Sequence, residues 1–207
     1  MHEQGPGAGK RPIDAAHARG RCEVAMLELS GEIGYRAVTV EQVLSHSGVS
    51  LEQFEAEFGD VESCFVAAYE AEADVLCEAM LNAAGRAEDW RSCTRAALET
   101  LLRFVAERPA VARALIRDVH VVGGEALAKH EEVLARLGAA IGTGRELPEE
   151  QVAWTASFIV GAVEGVVTSR LARGETDDML ALLPELMYLI VASFEGRDAA
   201  AEELERK

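Results

Sequence analysis

Residues 39–58, TVEQVLSHSGVSLEQFEAEF, carry two helix-start signals in tandem. Thr39 is followed three residues later by Gln42, and Ser50 by Gln53. Each hydroxyl can accept a hydrogen bond from the third backbone N–H of a new helix while the glutamine reaches back to the cap. Between the signals, Gly48 allows the backbone geometry of a tight turn. Val40, Val43 and Leu44 before the turn, Val49 within it, and Phe54 and Phe58 beyond it supply a small shared core. Two short helices joined in this way are expected to form a helix-turn-helix, whose second helix enters the major groove of DNA.

The rest of the chain favours the same class of structure. Its 207 residues, 49% of them hydrophobic, can support a sizeable core. Ala, Leu, Glu and Arg dominate, and no strand-like alternation persists over a useful length, so the fold class is all-α. The formal net charge of −16 is unevenly spread: residues 37–85 hold ten acidic side chains and no Lys or Arg. The segment with the DNA-reading pattern is therefore the most acidic part, the reverse of the usual electrostatic footprint.

Helix punctuation divides the chain. A first helix is expected to start near Pro12–Ala15 and to stop at Gly34, followed by the pair at 39–46 and 50–57. Asp60 then caps a long helix running to about Ala84. Asp89 caps the next, which Pro109 stops, and a shorter helix closes at Gly123–Gly124. Further helices cover about 125–141, 149–173 and 177–195, about nine helices in all. The domain organisation expected is a disordered arm at 1–11, a helix-turn-helix domain at 12–59, a ligand-binding and dimerisation domain at 60–196, and a fraying charged tail at 197–207.

The N-terminus has no apolar core of a signal peptide, and Glu164 and Pro184 interrupt the longest apolar stretches. Cys22, Cys64, Cys77 and Cys93 lack paired metal-ligand spacing and read as reduced thiols, so the expected location is cytoplasmic, with no membrane partner. The helix at 149–173 is apolar around most of its circumference and must bury two faces. With the helix at 177–195 it is expected to form a homodimer interface, where Gly161 and Gly165 permit close approach.

Residues 26–71, MLELSGEIGYRAVTVEQVLSHSGVSLEQFEAEFGDVESCFVAAYEA, resemble the tetracycline-repressor (TetR) family of bacterial transcriptional regulators. The marks are the Gly34–Tyr35 turn, the Thr39–Val40 opening, the Gly48–Val49–Ser50 turn, Phe58, and the Asp60–Glu62 start of the long helix. The resemblance implies a homodimeric, ligand-responsive repressor, with an apolar effector pocket in each subunit and no enzymatic activity or cofactor. Ligand binding in such proteins tilts the fourth helix and lowers operator affinity. The DNA-facing candidates are Thr39, Ser50, Leu51, Glu52, Gln53 and Glu55, with Arg11, Arg19, Arg21 and Arg36 as basic support. Two positions depart from the family: Glu55 replaces an aromatic, most often Tyr, and Val61 replaces a Lys, both of them phosphate contacts. The second reading is accordingly a TetR-like protein with weakened or lost DNA binding, serving as a ligand-binding or protein-interaction module.

Pocket candidates are Tyr69, Leu101, Phe104, Ile116, His120, Trp154, Phe158 and Glu164, each of which could equally be plain core. Glu164 interrupts an apolar run. It reads as a charge on a solvated strip, as a partner for a polar ligand group, or as a cross-dimer partner of Arg170 or Arg173. His120 lies near Asp118 and Glu125, and His130 beside Glu131, but these spacings place the groups on different helix faces or across the Gly-Gly turn. No metal site is expected from them.

Overall fold

The computed structural model describes residues 15–145 and 147–206, and among them it contains helices and no strand. The N-terminal head is α1 (Ala15–Ile33), α2 (Val40–Ser47) and α3 (Leu51–Glu57). Both capping boxes are present. Thr39 N donates to Gln42 Oε1 at 2.9 Å, and Ser50 N donates to Gln53 Oε1 at 3.3 Å, while each Gln N–H reaches the preceding hydroxyl. Gly48 ends α2 in the left-handed region at φ 65°. A Cβ there would meet only the tip of the exposed Arg21 guanidinium, at 2.6 Å, which can swing aside, so it is the left-handed conformation and not space that calls for glycine. Val43 and Phe54 are fully buried between the three helices.

The body begins with α4 (Val61–Ala84), whose cap Asp60 accepts from Ser63 N at 2.7 Å. Asp89 caps α5 (Trp90–Glu107) in the same way. Pro109 opens α6 (Pro109–Arg113), which widens into a π turn at Ala114–Asp118 and continues as α7 (Val119–Val122). Then come α8 (Gly124–Gly142), α9 (Glu149–Arg173), α10 (Leu183–Glu195) and α11 (Arg197–Glu205). The helix expected from 177 is preceded by a 3-10 turn at Met179–Leu182, and Pro184 occupies the opening turn of α10.

Head and body share one continuous apolar cluster, from Ala18 and Met26 on α1 through Phe65 and Tyr69 on α4 to Leu115, Val119 and Val133. A second cluster joins α5 to α9 and α10 through Leu98, Leu102, Val167, Met187 and Val191. The crossing of α1 over α6 is unusually close: a Cβ on Gly31 would meet the Ala110 carbonyl oxygen at 1.8 Å.

Two expectations are corrected here. Residues 197–205 do not fray. Ala200 and Glu203 are buried, Glu203 pairs with Arg95, and Arg91 bridges Glu195 at 2.6 Å and Glu202 at 2.8 Å. The sequence signal was masked because the carboxylates find their cations more than a hundred residues away. Trp154 and Phe158, read as pocket candidates, point outward at 74% and 73% exposure. They lie on the face of α9 opposite to Ile159, Val160 and Val167, which enter the body. Gly161 and Gly165 share the outer face, with nothing within 4 Å of a Cβ built on either.

Candidate functional site

The N-terminal head presents an exposed α3 whose surface includes Leu51, Glu52 and Glu55. Leu51 is 51% exposed at the first position of the helix, an apolar side chain offered to whatever α3 faces. Thr39, Ser50 and Gln53 serve as cap residues, so their side chains are already ordered before any ligand arrives. Arg19 is not free to act as an independent phosphate contact. Its guanidinium bonds Glu23 at 2.8 Å, lies 3.6 Å from Glu57, and sits over the Phe58 ring at 5.4 Å. Arg21 and Arg36 are exposed and form no ion pair among the described residues. Arg11 lies outside the described residues. Val61 is partly covered at the start of α4, where it packs against the head core.

The second candidate is a cavity of about 180 Å³ lined by α4, α5, α6 with its π turn, α8, α9 and α10. Its walls are apolar: Leu76, Met80, Leu101, Phe104, Ile116, Val133, Leu137, Val160 and Val163 line it. Trp90 also contributes to this lining, with its indole N–H on the Ile141 carbonyl at 2.8 Å and Arg145 stacked 4.0 Å above the ring. Of the sequence candidates, Tyr69, Leu101, Phe104, Ile116 and Glu164 reach this lining, whereas Trp154, Phe158 and His120 do not.

The cavity's polar corner was not foreseen. His130, read as a surface or structural histidine, is buried on α8 with its ring between two partners. Tyr69 Oη lies 2.8 Å from Nδ1, and Glu164 Oε1 lies 2.8 Å from Nε2. Burial, and secondarily the Glu164 carboxylate, raises the Tyr69 phenol above its ordinary pKa, so it stays protonated and can donate. The consistent assignment has Tyr69 O–H donating to Nδ1 and His130 Nε2–H donating to Glu164. Glu164 is thus neither on a solvated strip nor in need of Arg170 or Arg173, which both turn to Glu175. The legible signal for His130 was the stripe Ala126, His130, Val133, Leu137 on one face of α8.

His120 stands just outside the lining. Its Nε2 is 4.0 Å from Glu164 Oε1, and its ring meets the His130 ring edge-on at 5.2 Å between centroids. Aromatic contacts then lead from the corner to the head. His130 packs on Tyr69 at 6.1 Å, Tyr69 on Phe65 at 6.4 Å, and Phe65 on Tyr35 at 5.2 Å, in the short turn between α1 and α2. Tyr69, which lines the cavity, and Phe65, which packs on Tyr35 of the head, belong to one helix, α4.

A regulator of fatty acid degradation, FadR from Bacillus halodurans, matches with TM-score 0.72 and 16% identity over 83% of this chain and 96% of its own. FadR from Bacillus subtilis, solved in complex with stearoyl-CoA, matches with TM-score 0.73 and 16% identity over 85% and 97%. A TetR-like transcriptional regulator from Rhodococcus sp. RHA1 matches with TM-score 0.71 and 20% identity over 90% and 100%. The fold is that of the TetR-like regulators. The all-α arrangement of head and body expected from the helix punctuation is therefore the observed one. No protein-family model matches the sequence, and no curated protein matches it.

Proposed function

We propose that this chain is a ligand-responsive, DNA-binding transcriptional repressor of the TetR type, a cytoplasmic homodimer that a small effector releases from its operator. The observation that carries the reading is the route from cavity to head. Tyr69, hydrogen-bonded to His130 in the cavity corner, and Phe65, packed on Tyr35 in the head, lie one turn apart on α4. A ligand that displaces His130 or fills the cavity would bias α4 between two positions, and the head would follow. The functional division is then a reading part at 12–59 and a ligand and dimer part at 60–196. The effector is an apolar molecule with a polar end. Acyl thioesters belong in a first screen, because one regulator of this fold binds stearoyl-CoA. We read the protein as a binding protein and not as an enzyme.

The dimer reading rests on α9. Among the described residues it is the one helix long and apolar enough to cross a membrane, yet only 22% of that window is buried within the chain. Glu164 on its inner face is bonded to His130, so the helix is committed to the body and a second copy, not lipid, is the fitting cover for its outer face.

The α3 surface supports a second reading, a TetR-like protein whose DNA grip is weak or lost and which serves as a ligand-binding or protein-interaction module. Glu52 and Glu55 are exposed, and Arg19 is drawn to Glu23 and Glu57. At ~7 Å in water each Glu–phosphate pair repels by about 0.6 kcal/mol, a term doubled by two heads. Fluorescence anisotropy with the DNA upstream of the protein's own gene separates the readings. A working repressor binds at low salt, weakens as salt rises, and tightens when Glu55→Tyr and Val61→Lys are introduced. Absence of binding by the wild-type protein at low salt would sink the repressor reading.

A further inference from the structure

We propose that His120, His130 and Glu164 form a binding site for a divalent transition-metal ion, zinc foremost, at the mouth of the cavity. Each residue comes from a different helix, α7, α8 and α9, and each offers one ligand atom. These atoms all lie within 4.8 Å of one another, with 2.8 Å from His130 Nε2 to Glu164 Oε1 and 4.0 Å from His120 Nε2 to the same oxygen. Around tetrahedral zinc, with bonds of roughly 2.0–2.2 Å, neighbouring ligand atoms stand about 3.3 Å apart. The adjustment required is therefore small. It falls mainly on His120, whose side chain is 54% exposed on a four-residue helix ending at Gly123.

The donor set is the right kind. Two neutral imidazoles and one carboxylate suit zinc and its neighbours, and three protein ligands leave a fourth position. His130 and Glu164 both line the cavity, so a fourth donor, water or a ligand atom, would come from that side. The outer support is also in place. Tyr69 Oη, 2.8 Å from His130 Nδ1, can accept from Nδ1–H once Nε2 turns its lone pair to a metal, which fixes both ring orientation and tautomer. The electrostatics point the same way. Glu164 is mostly covered beside apolar walls, and its charge partners among the described residues are these two histidines. A cation between the three groups would replace a hydrogen bond to one histidine by bonds to both.

The test uses full-length protein stripped with EDTA, then titrated with zinc against a chromophoric chelator, with no DNA and no effector present. One equivalent per chain is expected for the wild type. His120→Ala and Glu164→Gln should each weaken binding by about 100-fold or more. Tyr69→Phe, which keeps the ring but removes the outer hydrogen bond, should weaken it by about 10-fold. His120 is exposed and Glu164→Gln is isosteric, so both variants should keep the wild-type circular dichroism. Cobalt(II) should give the visible bands of a tetrahedral site without thiolate charge transfer, which excludes the four cysteines. No zinc binding, undiminished binding in His120→Ala and Glu164→Gln, or a thiolate cobalt spectrum would each overturn the proposal. None of these readouts depends on whether the head grips an operator.

Discussion

Trp154→Ala is the sharpest perturbation of the proposed dimer. A large aromatic buries about 150–250 Å² when fully covered. Trp154 is 74% exposed in the single chain. Covering that remainder removes about 150 Å² from water, worth up to about 4 kcal/mol at ~25 cal/mol per Å². A two-fold interface loses the side chain twice, but ordering and imperfect contact reduce the yield, so about half of the doubled ceiling, roughly 4 kcal/mol, is a realistic loss. That corresponds to a dimer dissociation constant weakened by about 1,000-fold. Sedimentation velocity over a concentration series should show the shift toward monomer, with Phe158→Ala behaving alike. The monomer should keep its melting temperature, because most of the indole surface packs against nothing within the chain. Gly165→Ala sharpens the argument by separating the two effects. It should stabilise the isolated helix by about 1 kcal/mol through propensity, yet weaken a dimer that relies on close helix approach. A wild type that is monomeric throughout, or a Trp154→Ala dimer as tight as the wild type, would refute the reasoning.

Three further outcomes follow from packing and charge. Asp60 and Asp89, capping α4 and α5, have pKa values held below the ordinary carboxylate range, Asp60 by the Ser63 backbone N–H and then its hydroxyl, Asp89 by the Ser92 hydroxyl and then its backbone N–H. A depressed folded pKa means these caps contribute fully above the unfolded value and are lost as pH falls through the folded one. Asp60→Asn should therefore flatten the acid limb of a thermal-stability profile, whereas Asp60→Ala should cost about 1 kcal/mol at neutral pH. Glu203→Ala leaves Arg95 without its buried partner and should cost about 3 kcal/mol, with α11 becoming the first site of limited proteolysis. Gly31→Ala drives a methyl into the Ala110 carbonyl. It should lower stability by about 3 kcal/mol in denaturant unfolding and loosen the head on the body; unchanged stability would mean that α1 and α6 do not cross so closely.

The helix boundaries were readable because their causes are local. Thr39, Ser50, Asp60 and Asp89 cap within three residues of themselves, and Gly48 turns the chain on its own backbone. Apolar spacing on these segments was enough to place Val43 and Phe54 in a core. Periodicity says that a helix has a buried face, but not what covers it. Hence Trp154 and Phe158, apolar on an apolar helix, were placed toward the cavity although they face outward. The same ambiguity let the outer stripe of α9 suggest a second copy of the chain.

The candidate site was least legible where groups far apart in sequence converge. His130 and Glu164 are thirty-four residues apart, and His130 and Tyr69 sixty-one. No spacing rule within one helix can report such meetings; only the packing of α4, α8 and α9 around the cavity brings them together. The docked α11 has the same origin, since Glu203 meets Arg95 across 108 residues. Residues 37–85 already declared a helix-turn-helix scaffold by their caps and apolar spacing, and an acidic surface by their composition. Local hydrogen bonds and helical periodicity act over three or four residues and are written in the order of the chain. Burial of charge, cavities and ion pairs act through space, and the tertiary fold alone decided that Glu164 answers to His130.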